Sequence, residues 1–396
     1  MTVKQIYALM NTVTGEVLGK TDLVNEDLSN VVDVGKEIFS ATDVDNYVKS
    51  LVNHIGKVVF VNRPYSGKIP SVLMDSWEFG SVLEKVSCDT PDAEENESWD
   101  LVDGQEYKQD IFYKPTVSAK FFNSKVTFEV PMSFTEKQVK ESFSNAAQLN
   151  GFISMIYNAV DRSMTIKMDG LVMRTINMMI AQTLNADKTA FTGGDYSVAS
   201  TARCVNLLKL YNDKFFPATG GTANPDALTA DKAIYDPEFI RFASYIMGVY
   251  VDRLASISTL FNVGGKDRFT DANNLHVIML SDFAKGADVY LQSDVRHNEM
   301  TRLPNYETIP YWQGSGQDYA FDDTSAINVK IDASNTVTIK GIVGVMFDRD
   351  ALGVCNLDRR VTTAYNAKAE FFNNYYKFDA GYFVDTNENF VVFFVA

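Results

Sequence analysis

Cysteine is scarce and oddly placed: Cys88, Cys204 and Cys355 are three in number and far apart in a chain of 396 residues, which excludes a disulfide framework. Long apolar runs are missing too. Nothing approaches the ~18 consecutive apolar residues of a spanning helix. The opening MTVKQIYALM has neither a long apolar stretch nor a small-residue cleavage site. The expectation is a reduced chain that folds in a cytoplasm, with no membrane segment. Basic charge is short, 36 Lys and Arg against 51 Asp and Glu for a net charge of -15, which argues against a surface that tracks phosphates. Neither an internal repeat nor a low-complexity linker is present.

Catalytic signatures are equally thin. The run GEVLGKT (Gly15 to Thr21) has one residue too few between its first glycine and the GKT for a phosphate-binding loop, and its surroundings read as a hairpin. His54, His276 and His297 show no metal-ligand spacing with each other or with a cysteine. No G-x-S-x-G elbow or dinucleotide G-x-G-x-x-G occurs. Asn96-Glu97-Ser98 forms a glycosylation sequon, which means little without a secretory signal. The reading is a protein without catalytic, cofactor or metal residues. A glycoside hydrolase, which needs only two suitably spaced carboxylates, is the enzyme class left to weigh against it.

What is present is enough chain for two to four structural units, at ~100 to 200 residues each. Aromatics are abundant, 27 Phe and 19 Tyr, and such side chains are enriched where proteins meet proteins. The segment IYALMNTVTGEVLGKTDLV is expected as a short hairpin turning at Thr14 and Gly15, and Thr42 to Ile55 as an amphipathic helix. Between Cys88 and Tyr107 stand eight acidic residues (Asp89, Asp92, Glu94, Glu95, Glu97, Asp100, Asp103, Glu106) and no basic one, so no packed core can hold this stretch. Strand-like flanks on both sides, with Val126, Phe128 and Val130 alternating against Thr127 and Glu129, make it the tip of a long two-stranded excursion. An isolated ribbon of that kind is marginal in water, and a neighbouring subunit is its natural support.

Thr135 and Gln138 have capping-box spacing. Beyond them, Leu149, Phe152, Ile156, Val160, Met164, Met168, Leu171, Val172, Ile176, Met179, Ile180 and Leu184 keep three- or four-residue steps, the pattern of one very long helix that either tolerates Gly151 and Gly170 or breaks at the latter. Asp236 and Pro237 suit an N-cap and first helical turn before FIRFASYIMGVYVDRLA. LHVIMLS reads as a strand, SDFAKGADVYLQ as a helix, and INVKIDASNTVTIKGIVGVMFD as strands turning at Asp332 to Asn335. The last segment, AEFFNNYYKFDAGYFVDTNENFVVFFVA, reads as two strands parted at Asp385 to Asn389 that return to one existing sheet.

In order and pattern the chain resembles the major capsid proteins of tailed bacteriophages with the Hong Kong 97-like fold. The segments that carry the resemblance are SWEFGSVLEKV (Ser76 to Val86), PDAEENESWDL (Pro91 to Leu101), VSAKFFNSKVTFEV (Val117 to Val130), the stretch from Leu280 to Gly316, and GIVGVMFDRDALGV (Gly341 to Val354). The resemblance implies an α+β fold. Its parts would be an N-terminal arm at 1–62, an extended β-hairpin loop at 63–134, a peripheral domain with the spine helix at 135–190, a mixed α/β axial domain at 191–350, and strands returning to the peripheral domain at 351–396.

The function so implied is structural: a subunit that self-assembles, as pentamers and hexamers, into an icosahedral virion head made in the bacterial host cytoplasm. That head would enclose double-stranded DNA without reading its sequence. An encapsulin-type compartment around protein cargo shares the fold and is the alternative. A separate scaffolding protein is implied, because the spine helix starts too early to leave room for a built-in one, together with a portal and, as a further partner class, decoration proteins. The residues expected to meet a neighbouring subunit are Glu94, Glu95, Glu97, Trp99 and Asp100. Lys108, Lys114 and many asparagines are present, but no motif identifies a reacting pair for the isopeptide link that some members form.

Overall fold

The structure, a computed structural model, describes residues 3–19, 24–25, 29–40, 50–51, 69–74, 83–88, 97–107, 110, 112–114, 116–142, 144, 146–218, 224–292, 306–313 and 320–396. Its helices are α1 (Val3–Leu18), α2 (Val31–Ser40), α3 (Glu136–Ser142), α4 (Ala146–Ala186), α5 (Leu207–Phe215), α6 (Pro237–Ala255) and α7 (Ser281–Gln292), besides shorter turns. The strands are β1 (Leu83–Cys88), β2 (Val117–Phe122), β3 (Lys125–Thr135), β4 (Cys204–Asn206), β5 (Leu275–Leu280), β6 (Tyr306–Ile309), β7 (Ile327–Lys330), β8 (Thr336–Ile339), β9 (Ile342–Asp348), β10 (Leu352–Asn366), β11 (Phe371–Val384) and β12 (Phe390–Phe394). They form two compact units, one of residues 1–79, 124–172 and 354–381, the other of residues 80–123, 173–353 and 382–396.

In the first unit the expected N-terminal hairpin is instead the helix α1. Ile6, Leu9, Met10 and Val13 fall on one helical face and are all buried, so period 3.6 prevails over the turn propensity of Thr14-Gly15. Thr14 accommodates the helix by donating its hydroxyl to the Met10 carbonyl (2.8 Å). The helix ends at Gly19, whose positive φ of 67° lets its N–H reach back to the Gly15 carbonyl at 3.1 Å. Of the expected helix from Thr42 to Ile55, only Ser50 and Leu51 lie among the described residues, and both are helical.

The capping box at α3 forms in full: the Gln138 side chain accepts from the Thr135 N–H (2.9 Å), and the Thr135 hydroxyl accepts from the Gln138 N–H (3.2 Å). Helix α4 then runs 41 residues without a break at Gly170, about 60 Å at 1.5 Å per residue. Of the stripe read from sequence, every member but Phe152 is buried. Ile153 takes its place, and Phe152 sets its ring edge-on to Phe134 at 5.5 Å. Of this helix residues 146–172 belong to the first unit and the rest to the second, and a three-stranded sheet in the order β10-β11-β3 completes the first, with β11 antiparallel to β3 from Phe371 opposite Thr135 to Gly381 opposite Lys125. Phe372, Asn374, Tyr376, Phe378 and Ala380 all point to the buried face of β11, which accounts for part of the aromatic abundance.

The second unit is built on a five-stranded mixed sheet in the order β4-β12-β9-β5-β6. The two C-terminal strands are thus divided between sheets, β11 in the first unit's and β12 here, rather than returning together to one. Strand β12 is buried at every residue, as a central strand covered on both faces must be. Helix α6 packs Phe239, Ile240, Ala243, Met247 and Leu254 into the same core as Leu275, Val277, Val343 and Phe393. Its start is fixed as the sequence suggests, with the Asp236 carboxylate accepting from the Phe239 N–H (2.8 Å) and Pro237 in the first turn. The ribbon β7–β8 turns at Asp332, whose carboxylate accepts from the N–H groups of Ser334 (2.7 Å) and Asn335 (2.8 Å).

Candidate functional site

Among the described residues, groups that could do chemistry are not gathered: no cluster of three His, Cys, Asp or Glu there could hold a metal ion. His276 lies on β5 against Phe347, with ring centroids 5.9 Å apart; burial first, and then Arg349, push its imidazole below the usual range. His54 and His297 lie outside the described residues. Of the GEVLGKT run, Gly15 to Leu18 sit inside α1 and Gly19 follows its end, while Lys20 and Thr21 lie outside the described residues. Cys88 is exposed, Cys204 and Cys355 are buried, and none of the three forms a disulfide. Burial pushes the Cys204 thiol well above its ordinary pKa, aided by the Asp187 carboxylate nearby, so it is an inert core group.

The surface that stands out is the ribbon β1–β2, which belongs to the second unit. The two strands pair antiparallel from Leu83 opposite Phe122 to Cys88 opposite Val117. Side chains alternate between faces, so Leu83, Phe122, Lys85, Lys120, Ser87 and Ser118 share one side, while Glu84, Phe121, Val86, Ala119, Cys88 and Val117 share the other. On the first side Phe122 meets Phe383 with centroids 5.2 Å apart, and the hydroxyls of Ser87 and Ser118 are 2.9 Å apart. The second side faces solvent: Val86 is 64% and Phe121 62% exposed, and Val117 is similarly open.

An ion network fixes the ribbon at its base. The Asp385 carboxylate, in the turn between β11 and β12, receives the ammonium of Lys85 on one oxygen (2.8 Å) and that of Lys120 on the other (2.9 Å). Lys85 also contacts Glu388 (3.2 Å) and donates to the Asp350 carbonyl (2.9 Å), and Arg268 pairs with the far oxygen of Glu388 (3.2 Å). Burial alone would raise the Asp385 pKa, but the hydrogen bonds from Lys85 and Lys120 outweigh it and hold the carboxyl below the usual range. Burial would correspondingly lower Lys85, and Asp385 with Glu388 overrides it, raising the ammonium pKa.

Of the residues expected to meet a neighbour, Glu94 and Glu95 lie outside the described residues. Glu97 opens a single 3₁₀ turn that ends at Trp99. The Trp99 indole is 95% exposed, Asp100 is exposed beside it, and Leu101 and Val102 continue an open apolar edge. Phe112 and Tyr113, on the return path towards β2, are exposed as well. The period-2 alternation of Val86 with Cys88, and of Val117 with Ala119 and Phe121, could have marked the apolar outer face in advance. The Asp385 network has no local signal, since Lys120 and Asp385 are 265 positions apart.

A family model described as Phi29-like phage major capsid protein matches residues 9–394. None of the curated proteins matches the chain. Among solved structures the chain is similar to one in the capsid of Staphylococcus phage Andhra, at 8% identity and TM-score 0.46 over 82% of this chain and 83% of that one. It is also similar to one in a structure of the head fiber and inner core protein gp22 of native bacteriophage P68 (9% identity, TM-score 0.49, covering 84% and 85%). A third likeness is to the capsid of Cyanophage P-SCSP1u (10% identity, TM-score 0.44, covering 82% and 86%).

Proposed function

The chain belongs to the Phi29-like phage major capsid protein family, matched over residues 9–394, and is a structural subunit of a phage head; from that premise we propose how it builds the shell. As a capsid subunit it associates with copies of itself. The finer reading is an icosahedral head of a tailed phage, with the Hong Kong 97-like arrangement of arm (1–62), extended loop (63–134), spine-helix domain (135–190), axial domain (191–350) and returning strands (351–396). Its capsomers are pentamers and hexamers. They form in the host cytoplasm on a separate scaffolding protein, around a portal, with decoration proteins as further partners, and the shell encloses double-stranded DNA without sequence-specific contacts. The subunit performs no catalysis. The family match favours this reading over an encapsulin-type compartment.

One observation carries the intersubunit part. On its outer face the ribbon exposes Val86, Val117 and Phe121 around Glu84, and Trp99, Leu101 and Val102 of the acidic connection between its strands are exposed as well. A two-stranded ribbon with one open apolar face is marginal by itself, and a large exposed apolar patch marks a contact surface. We assign that face, together with Glu94, Glu95, Glu97, Trp99 and Asp100, to a neighbouring subunit. Electron microscopy of the chain expressed with a candidate scaffold tests it: closed shells are expected from the wild type, and F121E should give folded subunits that do not close. Normal shells from F121E and from a W99E variant would remove the contact from this face.

A further inference from the structure

Across the β1–β2 ribbon, Lys85 and Lys120 are directly opposite one another on the same face. Side chains so placed have Cβ atoms roughly 5 Å apart, and two like charges in that position oppose strand pairing. The ribbon pairs here because a third group stands between the ammoniums: one Asp385 oxygen meets each of them, at 2.8 Å and 2.9 Å. Their alternatives are unequal. Lys85 keeps Glu388 and the Asp350 carbonyl, whereas among the described residues the Lys120 ammonium otherwise meets the Phe122 ring face and the Thr386 hydroxyl at 3.3 Å.

Asp385 is itself held from several directions, so it cannot follow a ribbon that moves away. Its N–H donates to the Ala351 carbonyl (2.7 Å), and its carboxylate also accepts from the Asn387 N–H (3.1 Å). The turn around it is pinned where Gly264 donates to the Thr386 carbonyl (2.9 Å) and Asn389 donates to Thr270 (3.1 Å). A side chain at Gly264 would collide with Asn387, so the loop before β5 must pass this turn at backbone distance. The charged groups facing Asp385 are therefore Lys85 from β1, Lys120 from β2, Glu388 from its own turn, and Arg268 through Glu388.

We propose that Asp385 is a latch for the excursion: by bridging two mutually repelling lysines it makes the pairing of β1 with β2 conditional on contact with the β11–β12 turn. The ribbon is ordered while the bridge stands and loosens locally when it is broken, leaving the five-stranded sheet intact. This holds for a single subunit and does not depend on what the outer face of the ribbon meets.

Hydrogen exchange of the full chain at neutral pH tests it, comparing amides of β1 and β2 with those of β9 and β12. In D385N, which keeps the side-chain shape and removes the charge, exchange in β1 and β2 should rise about tenfold or more while β9 and β12 stay protected. In D385N/K120M the repulsion is gone, and most of the ribbon's protection should return, an effect that loss of a merely structural contact would not produce. Unchanged ribbon protection in D385N overturns the latch, as does equal loss in β9 and β12. A double variant that is as loose as D385N, or that does not fold, overturns it too. If D385N alone does not fold, a folded double variant with a protected ribbon still supports it.

Discussion

Within the second unit, Asn177 and Trp312 join the C-terminal part of the long helix to the sheet: the Asn177 carboxamide donates to the Trp312 carbonyl at 2.9 Å, where both residues are buried. The Trp312 indole N–H in turn donates to the Ile342 carbonyl at 2.8 Å, so one aromatic residue fixes helix α4 against the first residue of β9. N177A leaves a buried carbonyl without its donor and should cost about 1–3 kcal/mol. W312F should cost a similar amount for the same reason at Ile342. Denaturation midpoints of the unassembled subunit would check both, and values unchanged from wild type would refute them.

Glycines give opposite expectations by position. Gly341 has φ of 83°, and a Cβ there would collide with the Val395 carbonyl, so G341A should destabilise by about 1–3 kcal/mol. Gly151 and Gly170 lie inside α4 with nothing near a built Cβ, so G151A and G170A should each stabilise by about 0.5–1 kcal/mol. Thermal melts of the three variants would separate the cases by sign.

The buried stripe of α4 leaves no room for charge. Ile156 and Ile176 are both fully buried, and aspartate at either places an unpaired carboxylate in an apolar setting, at a cost of about 3–5 kcal/mol. Loss of soluble, helical subunit is the expected outcome for I156D and I176D. Normal yield and melting of either would show that the stripe does not face a core.

Acid should weaken the second unit through His276. Its imidazole is held neutral in the fold, below the ordinary pKa of about 6.5 that it regains when unfolded. The unfolded chain then binds the extra proton, so this contribution to stability is whole above about pH 6.5 and is lost as pH falls below it. H276Q should show a smaller loss of stability between neutral and mildly acidic pH than the wild type, measured by denaturant midpoints in matched salt. An identical pH dependence would remove His276 from the account.

Sequence alone determined the elements whose signals are local. The capping box at Thr135 and Gln138, the stripe along α4, the Asp236-Pro237 start of α6, and the turn at Asp332 all rest on residues within a few positions of each other, and spacing suffices to read them. The acidic run likewise argues against a core between Cys88 and Tyr107, and residues 98–107 are exposed. Where two local signals competed, as at Thr14-Gly15 against the Ile6, Leu9, Met10, Val13 face, the sequence offered both answers, and burial of that face decided for the helix. Tertiary structure alone separated β11 from β12 into different sheets, because both are apolar strands and only their partners tell them apart. It alone brought Lys85 and Lys120 to Asp385, since a carboxylate that neutralises two lysines some 300 and 265 positions away is chosen by the path of the chain in space, and no periodicity in the sequence records it.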